Sequence, residues 1–294
     1  MSSSPSSPSR LRLWLVALVV FAAAVRLVGL DYDDRHFFHP DERRIAMAVE
    51  ELSFKPLQLN PHFFAYGSFP FYVVRSIASL LGNLDPRLGH YDGIMMVGRT
   101  VSGLIGTLTV LLITVLGARL YNRSVGLLAG FLLAACALHV QNSHYGTTDI
   151  FLTFLVTLAL YFLIGVVQRG WTRDYLFAGL AIGFAAATKF SALPLLAPLG
   201  VACLVRLPKD GFLRVVGRGL LAILCLGLAF AVGQPYAILD FANYARDITE
   251  QSGMVREAGR LPYTNQYIGV VKYYYDLSQM FWWGMTPPLA VAAI

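Results

Sequence analysis

The sequence predicts an all-α, polytopic membrane helix bundle with about eight spans and with amphipathic helices in a long first extracytoplasmic loop. Three observations predict this fold. Hydrophobic residues make up 56% of the 294 positions and charged residues 14%, which is typical of membrane proteins. Apolar runs of nearly spanning length recur along the chain, and basic residues fall in alternate short loops.

The predicted elements begin with a Ser- and Pro-rich segment, residues 1–10, which is expected to be a disordered cytoplasmic tail. Residues 11–294 form the predicted transmembrane domain. Its first run, residues 11–30, lacks a clear cleavage site, which favours a membrane span over a signal peptide. The other apolar runs cover residues 94–118, 125–140, 149–167, 175–188, 191–205, 217–234 and 280–294. The last run has about 14 residues, short for a span, so the domain is expected to be incomplete at its C-terminus.

The short loops carry basic residues asymmetrically. With the N-terminus in the cytoplasm, the inside loops hold eight Lys or Arg residues and the short outside loops hold one, Lys189. The eight are Arg119, Arg123, Arg169, Arg173, Arg206, Lys209, Arg214 and Arg218. The positive-inside rule therefore predicts a cytoplasmic N-terminus. Because these residues form no basic stripe, the net charge of +6 indicates topology and not nucleic-acid binding.

With the N-terminus in the cytoplasm, two long loops, residues 31–93 and 235–279, lie on the extracytoplasmic side of the membrane. Both are rich in aromatic residues and interrupted by prolines, so they are expected to be structured. Residues 41–52 and 69–81 of the first loop have the apolar spacing of amphipathic helices. Such helices could lie along the membrane surface and roof a cavity between the spans.

The first outside loop contains an acidic pair, Asp41 and Glu42, directly after His39 and Pro40. Adjacent carboxylates at a helix start are suited to a general base or to a divalent cation. The simpler alternative is that the pair decorates a helix N-terminus, where negative charge is favourable. No cofactor is assigned with certainty, and a divalent cation on Asp41 and Glu42 is left open.

A second polar cluster, residues 142–149, lies between two spans and contains His144, Tyr145 and Asp149. Asp149 opens an apolar run, and a carboxylate at the membrane edge needs water or a partner. Alternatively, Thr148 or Asp149 caps the following helix, which is compatible with a functional role.

Lys189 interrupts an apolar stretch. Its cation could neutralise Asp149 or hold a phosphate at the membrane surface. The alternative is an idle lysine that extends its ammonium group to water. The two apolar runs that meet at Lys189 could also be one broken or re-entrant segment.

The second long loop contributes Gln234 and Tyr236 at a helix end, and then Arg260 and Tyr263. An arginine among hydrogen-bonding aromatic residues could hold a phosphate or a sugar. For the tyrosines, including residues 267 and 273–275, an interfacial aromatic belt is an equal alternative.

In their order along the chain, these motifs resemble the polytopic C-type glycosyltransferases that use polyprenyl-phosphate sugars. The nearest branch contains dolichyl-phosphate-mannose protein mannosyltransferases and lipid A aminoarabinose transferases. The resemblance covers roughly residues 11–285. It is carried by HPDE at 39–42, NPHFFAYGSFPFYV at 60–73, residues 145–149, ATKFSALPLLAPL at 187–199 and QPY at 234–236.

The resemblance implies transfer of a hexosyl or pentosyl group from a polyprenyl-phosphate donor to an acceptor hydroxyl outside the membrane. Asp41 would be the base that deprotonates the acceptor, and Glu42 would assist by positioning or by binding a metal. Lys189 and Arg260 would stabilise the leaving phosphate. The other predicted substrate-binding residues are His39, Tyr66, His144, Tyr145, Asp149, Gln234, Tyr236 and Tyr263.

The main alternative is a transporter or flippase, in which Asp149 and Lys189 would act near the membrane midplane. Because the charges gather at one predicted face, a transferase is favoured over this alternative. A non-catalytic membrane scaffold is a third possibility, which loss of activity on changing Asp41 would exclude. The expected partners are a polyprenyl-phosphate-linked sugar donor, a protein, lipid or glycan acceptor and membrane lipid, with no nucleic acid. The resemblance favours the plasma (inner) membrane.

Overall fold

The chain is described by a computed structural model over residues 8–259, 261–271 and 273–292. These residues are mostly helical and form only one short two-stranded hairpin, which confirms the all-α prediction. The α-helices are α1 (Pro8–Leu27), α2 (Pro40–Glu51), α3 (Phe69–Gly82), α4 (Tyr91–Leu120), α5 (Arg123–Ala134), α6 (Ala137–Ser143), α7 (Asp149–Arg169), α8 (Thr172–Ala186), α9 (Leu196–Asp210), α10 (Phe212–Gly233), α11 (Tyr236–Leu239), α12 (Phe241–Arg256), α13 (Tyr274–Gln279) and α14 (Pro287–Ala292). Short 3-10 helices cover Pro86–Gly89, Phe190–Leu195 and Pro262–Tyr267, and a π-helix covers Met280–Gly284. A small antiparallel hairpin pairs β1 (Ser53–Phe54) with β2 (Leu57–Gln58), with Ser53 opposite Gln58.

The described residues contain fewer candidate membrane spans than the number predicted. Within the described residues, four segments have the length and hydropathy to cross a membrane: Tyr91–Leu120, Asp149–Arg169, Phe190–Asp210 and Phe212–Gly233. Helices α5 and α6 meet at 63° and add a fifth if they form one broken span. The predicted count of about eight is not confirmed, because α8 has 15 residues and the last apolar run is divided between the π-helix and α14.

Helix α1 begins at Pro8, so it includes the last three residues of the predicted disordered tail. Residues 1–7 lie outside the described part of the chain. α1 packs against α4 and α5.

Helix α4, with 30 residues, also packs against α5 and α7, and α7 to α10 form a second group of helices. Helices α8 and α10 approach each other closely at Gly179 and Gly183. A Cβ atom at these positions would collide with the carbonyl oxygens of Ala222 and Leu226, respectively. Small residues four apart are a common device for close helix packing in membranes.

The outer face of α10 is an apolar stripe. Leu220, Leu224, Leu228 and Val232 lie one turn apart and are 56–71% exposed. Such a stripe along a helix of 22 residues is typical of a surface that faces lipid. The fold is therefore that of a multi-pass membrane protein.

The two amphipathic helices predicted in the first long loop are present as α2 and α3. Their apolar faces pack against α4 around Ile45, Val49 and Phe71. The long loops lie at the end of the bundle where α4 and α7 begin and where α8 and α10 end. The helix that borders the cavity described below is α12, not α2 or α3.

Candidate active site

Three buried charged side chains join the first long loop to α4. Arg99 of α4 lies between Asp33 and Glu42, and all three side chains are 0% exposed. The guanidinium donates two hydrogen bonds to each carboxylate, at 2.8–3.0 Å, and one to the Leu30 carbonyl oxygen at 2.7 Å. All five of its N–H groups are thereby used. Hydrogen bonding from Arg99 lowers the pKa of Asp33, so this carboxylate stays ionised. We call Asp33, Glu42 and Arg99 the buried ion cluster.

Within the buried ion cluster both oxygens of Glu42 are engaged. Its Oε1 atom also accepts a hydrogen bond from the Gly146 backbone N–H at 2.7 Å. Glu42 therefore ties α2 to the segment before α7, which fits the positioning role and not the metal-binding one. A cation shared with Asp41 does not fit these contacts. Among the described residues, no three His, Cys, Asp or Glu side chains form a group that could hold a metal ion.

Asp41 lies in the first turn of α2 and is partly exposed. Successive helix residues point about 100° apart, so Glu42 faces the interior while Asp41 faces Tyr66. Burial and then the Asp41 carboxylate raise the pKa of Tyr66 well above its usual range. The tyrosine hydroxyl therefore stays protonated and can donate to Asp41. A neutral hydrogen-bond donor thus lies beside this carboxylate.

The backbone around Tyr66 is fixed against the end of α8. The Gly67 N–H donates to the Thr188 carbonyl oxygen at 2.9 Å. A Cβ atom at Gly67 would collide with the Ala187 carbonyl group, so this close approach requires glycine. The contact brings Tyr66 beside Lys189, whose Nζ atom lies 5.6 Å from the ring centre.

Lys189 forms an ion pair with Asp149. Its Nζ atom donates to Oδ1 at 2.7 Å, and the two side chains are 32% and 46% exposed. The neutralisation of Asp149 by Lys189 that the sequence suggested is therefore present, and Lys189 is not an idle cation. The sequence also suggested that Thr148 caps the N-terminus of α7. Its side chain makes no capping hydrogen bond.

A cavity of about 320 Å³ lies next to this ion pair. Its polar lining consists of Tyr66, Lys189 and Gln234 from the predicted set, together with Ser191, Tyr244, Gln251, Ser252 and Arg256. The volume is at the lower end of the about 300–1,000 Å³ that small-molecule sites occupy. It suits a polar head group with a phosphate, and not a complete polyprenyl chain.

Three predicted residues make contacts outside the cavity lining. His39 packs on Tyr145, with ring centres 4.4 Å apart. The two ring nitrogens of His144 lie 2.9 Å from the Val140 carbonyl oxygen and 3.1 Å from that of Val28. His144 thus connects α6 to the end of α1, close to the loop that carries Asp33.

The second long loop brings one of its predicted residues near Tyr66. Tyr263 is 63% exposed, lies near Tyr66 and donates its hydroxyl hydrogen to the Met254 sulfur at 3.6 Å. Tyr236 begins α11 and lies near Tyr72. Arg260 lies outside the described residues.

Sequence reasoning missed Arg99 and Arg256. A signal for Arg99 was available, because a lone arginine inside the apolar run 94–118 must have a partner. Arg256 gives no comparable signal, since it ends a polar helix and reaches the cavity only through the tertiary fold.

Residues 92–238, half of the chain, match the family model of the dolichyl-phosphate-mannose-protein mannosyltransferases. The chain belongs to this family. The matching segment runs from α4 to α11 and includes Asp149, Lys189 and Gln234.

Several solved structures have a similar fold. ArnT from Cupriavidus metallidurans bound to undecaprenyl phosphate superposes with a TM-score of 0.61 at 17% identity, over 97% of this chain and 50% of that one. The Pmt1–Pmt2 protein O-mannosyltransferase complex of S. cerevisiae, bound to its sugar donor, gives a TM-score of 0.59 at 19% identity, over 83% and 35%. AglB from Archaeoglobus fulgidus, an oligosaccharyltransferase in complex with an inhibitory peptide and a dolichol-phosphate, gives 0.60 at 14%, over 99% and 39%.

The chain therefore spans half or less of the length of these three structures. No match was found among curated proteins. At these identities the structural likeness defines the C-type glycosyltransferase fold, which confirms the resemblance found in the sequence.

Proposed function

We propose that the chain contains the catalytic part of a glycosyltransferase, which transfers a sugar from a polyprenyl-phosphate donor to an acceptor hydroxyl on the extracytoplasmic side of the membrane. One observation carries this proposal. Asp41 and Lys189 both lie next to Tyr66, Lys189 is paired with Asp149, and Lys189 lines a cavity. Sugar transfer needs a base for the acceptor and cations for the leaving phosphate, and this arrangement supplies both.

In the proposed reaction Asp41 takes the proton of the acceptor hydroxyl, and the acceptor oxygen attacks the anomeric carbon. The bond from that carbon to the phosphate oxygen breaks, and the polyprenyl phosphate leaves with the bonding electrons. Lys189 and Arg256 stabilise the negative charge on the phosphate. Arg260 remains a predicted phosphate ligand. Glu42 acts by holding α2, and with it Asp41, in place.

The proposed donor class is supported by the fold relatives. ArnT of C. metallidurans binds undecaprenyl phosphate and AglB of A. fulgidus binds a dolichol-phosphate. We therefore propose a polyprenyl phosphate that carries a hexosyl or pentosyl group, with a protein, lipid or glycan as acceptor. The excess of basic residues in alternate loops supports a cytoplasmic N-terminus. The branch that the sequence resembles supports the plasma membrane.

The transporter alternative is less well supported. In transporters, ion and substrate sites are typically found near the membrane midplane. Asp149 is the first residue of α7, and Lys189 directly precedes the span Phe190–Asp210. The two charges therefore lie at helix ends, where an enzyme could act on substrates at the membrane surface.

The test compares the purified protein with its Asp41→Asn variant in proteoliposomes. Radiolabelled polyprenyl-phosphate sugars and a membrane extract are added, and the label transferred to acceptor is counted. Loss of a general base is expected to reduce transfer about a hundredfold or more. Glu51→Gln is the matched control, because Glu51 is an exposed carboxylate at the far end of the same helix.

Equal transfer by wild type and Asp41→Asn would refute the role of Asp41. If neither protein transfers sugar while the wild type moves a lipid-linked sugar across the bilayer, the transporter alternative is correct.

A further inference from the structure

Helix α12 forms one wall of the cavity but has little apolar anchorage. It contributes Ile248, Gln251, Ser252 and Arg256 to the lining. None of the described side chains of α12 is buried. Burial of apolar side chains normally fixes a helix in place, so the position of α12 must depend more than usual on directional polar contacts.

Such a contact is made by Asp247 of α12. Its Oδ2 atom accepts a hydrogen bond from the Phe64 backbone N–H at 3.1 Å, and its Oδ1 atom faces the Arg246 guanidinium at 3.2 Å. Asp247 is 18% exposed, whereas Arg246 is 69% exposed. Phe64, which is 1% exposed, also packs edge-on against Tyr244 of α12. One oxygen of Asp247 thus binds the first loop, and the other accepts from the exposed Arg246 side chain.

A second carboxylate makes the same connection at the start of the helix. Asp240 accepts from the Asn60 side-chain amide at 3.0 Å and from that of Asn243 at 2.8 Å. Hydrogen bonding from Asn60 lowers the pKa of Asp240, so this acceptor is ionised at neutral pH. Asn60, Phe64 and Tyr66 belong to one short loop. α12 is therefore tied to the segment that places Tyr66 beside Asp41.

We propose that Asp247 is a positioning residue that latches α12 onto the first loop and thereby holds the donor-binding cavity in shape. This inference rests on the proposed function, because it assigns the cavity to the phosphate head group of the donor. Asp247 itself does not line the cavity. Loss of the Asp247 carboxylate should weaken donor binding. The positions of Asp41 and Lys189 should be retained, so the rate of the chemical step should not change.

The experiment compares Asp247→Ala, which removes the acceptor, with Asp247→Asn, which keeps a carbonyl oxygen in the same place. Arg246→Gln is the control, since it removes the outer partner of Asp247 and leaves the bond to Phe64. Two quantities are measured on the protein in nanodiscs: KM and kcat for a polyprenyl-phosphate sugar, and hydrogen exchange of the backbone amides at residues 60–67.

We expect Asp247→Ala to raise the donor KM about fivefold to tenfold, which is the effect of one lost hydrogen bond, with kcat within about twofold. Exchange of the Phe64 amide should become faster in the same variant. Asp247→Asn and Arg246→Gln should stay close to wild type in both quantities.

The proposed role of Asp247 is wrong if hydrogen exchange of the Phe64 amide is unchanged in Asp247→Ala. It is also wrong if this exchange becomes faster while the donor KM stays the same. Wild-type protein without any transfer would instead refute the proposed function. In that case the Kd for undecaprenyl phosphate is measured in place of KM, and an unchanged Kd in Asp247→Ala overturns the latch.

Discussion

Asp41 and Glu42 are adjacent in the chain, yet α2 turns their carboxylates into different surroundings. Glu42 is 0% exposed and bound to Arg99, whereas Asp41 is partly exposed beside a neutral tyrosine. The sequence predicted the acidic pair but not the different surroundings of its two members. Arg99, which binds only Glu42 of the two, lies 57 positions from it in the chain. In the proposed reaction the buried carboxylate holds α2 in place, and the accessible one takes the proton of the acceptor hydroxyl.

At Lys189 we predict a selective effect on the donor. Lys189→Gln removes one phosphate-binding cation, and the donor KM should rise about tenfold or more, as expected for the loss of a charge-assisted contact. The thermal midpoint should change little, because the ion pair with Asp149 is 32% and 46% exposed and exposed pairs contribute little stability. Steady-state kinetics and thermal unfolding are the measurements. Lys209→Gln, an exposed lysine at the opposite end of the bundle, is the control, and an unchanged KM in Lys189→Gln would contradict the assignment.

At the scale of the element, periodicity predicted α2 and α3 within one residue of their observed ends. It failed at the break between α5 and α6, where the sequence contains neither glycine nor proline. There the Arg26 guanidinium of α1 donates to the carbonyl oxygens of Leu133 and Ala134, at 3.1 and 3.3 Å. Carbonyl groups freed at a helix end need such a partner. The break thus depends on a contact with α1, more than 100 residues away in sequence, which a local pattern does not reveal.

The buried ion cluster allows a contrast between two arginines. Arg99→Met leaves Asp33 and Glu42 buried without a counter-charge, so we expect a loss of about 3–5 kcal/mol or more, observed as a large fall in thermal midpoint or in the yield of folded protein. Arg87→Met removes an ion pair of the same length, 2.8 Å, but Arg87 is 89% exposed, so its loss should leave the thermal midpoint nearly unchanged. Similar midpoints for the two variants would show that the cluster does not anchor α2.

At the scale of the whole molecule, the predicted outside residues Tyr66, Lys189 and Gln234 meet at one cavity. At the other end, Arg218 bonds to the Gly170 carbonyl oxygen at 2.6 Å and Arg119 to the Gln168 side chain at 2.9 Å. This separation agrees with the alternation of basic loops. Which end faces the cytoplasm is a prediction from that alternation, and it calls for a direct test.

The test of orientation uses single cysteines in a background where Cys136, Cys203 and Cys225 are replaced by alanine. Asn83→Cys and Lys209→Cys each place a thiol at an exposed position. In the predicted topology Asn83 lies on the extracytoplasmic side and Lys209 on the cytoplasmic side. A membrane-impermeant maleimide should label Asn83→Cys in intact cells and Lys209→Cys only after permeabilisation. The reverse pattern would invert the topology and exclude an extracytoplasmic active site.

The sequence by itself determined the class of this protein. Hydropathy and the placement of basic loops predicted a multi-pass helical membrane protein, because the bilayer restricts both the length and the charge of its spans. Short motifs predicted the family and four neighbouring residues of the candidate site, Asp41, Tyr66, Asp149 and Lys189.

Only the tertiary structure decided how these residues are used. It assigned Glu42 to Arg99, placed Tyr66 next to both Asp41 and Lys189, and brought Arg256 to the cavity on a helix whose Asp240 and Asp247 bond to the first loop. Each of these facts is a contact between segments far apart in the chain. Local patterns record the period of a helix and the charge of a loop, whereas the partner of a buried polar group is chosen when distant segments pack together.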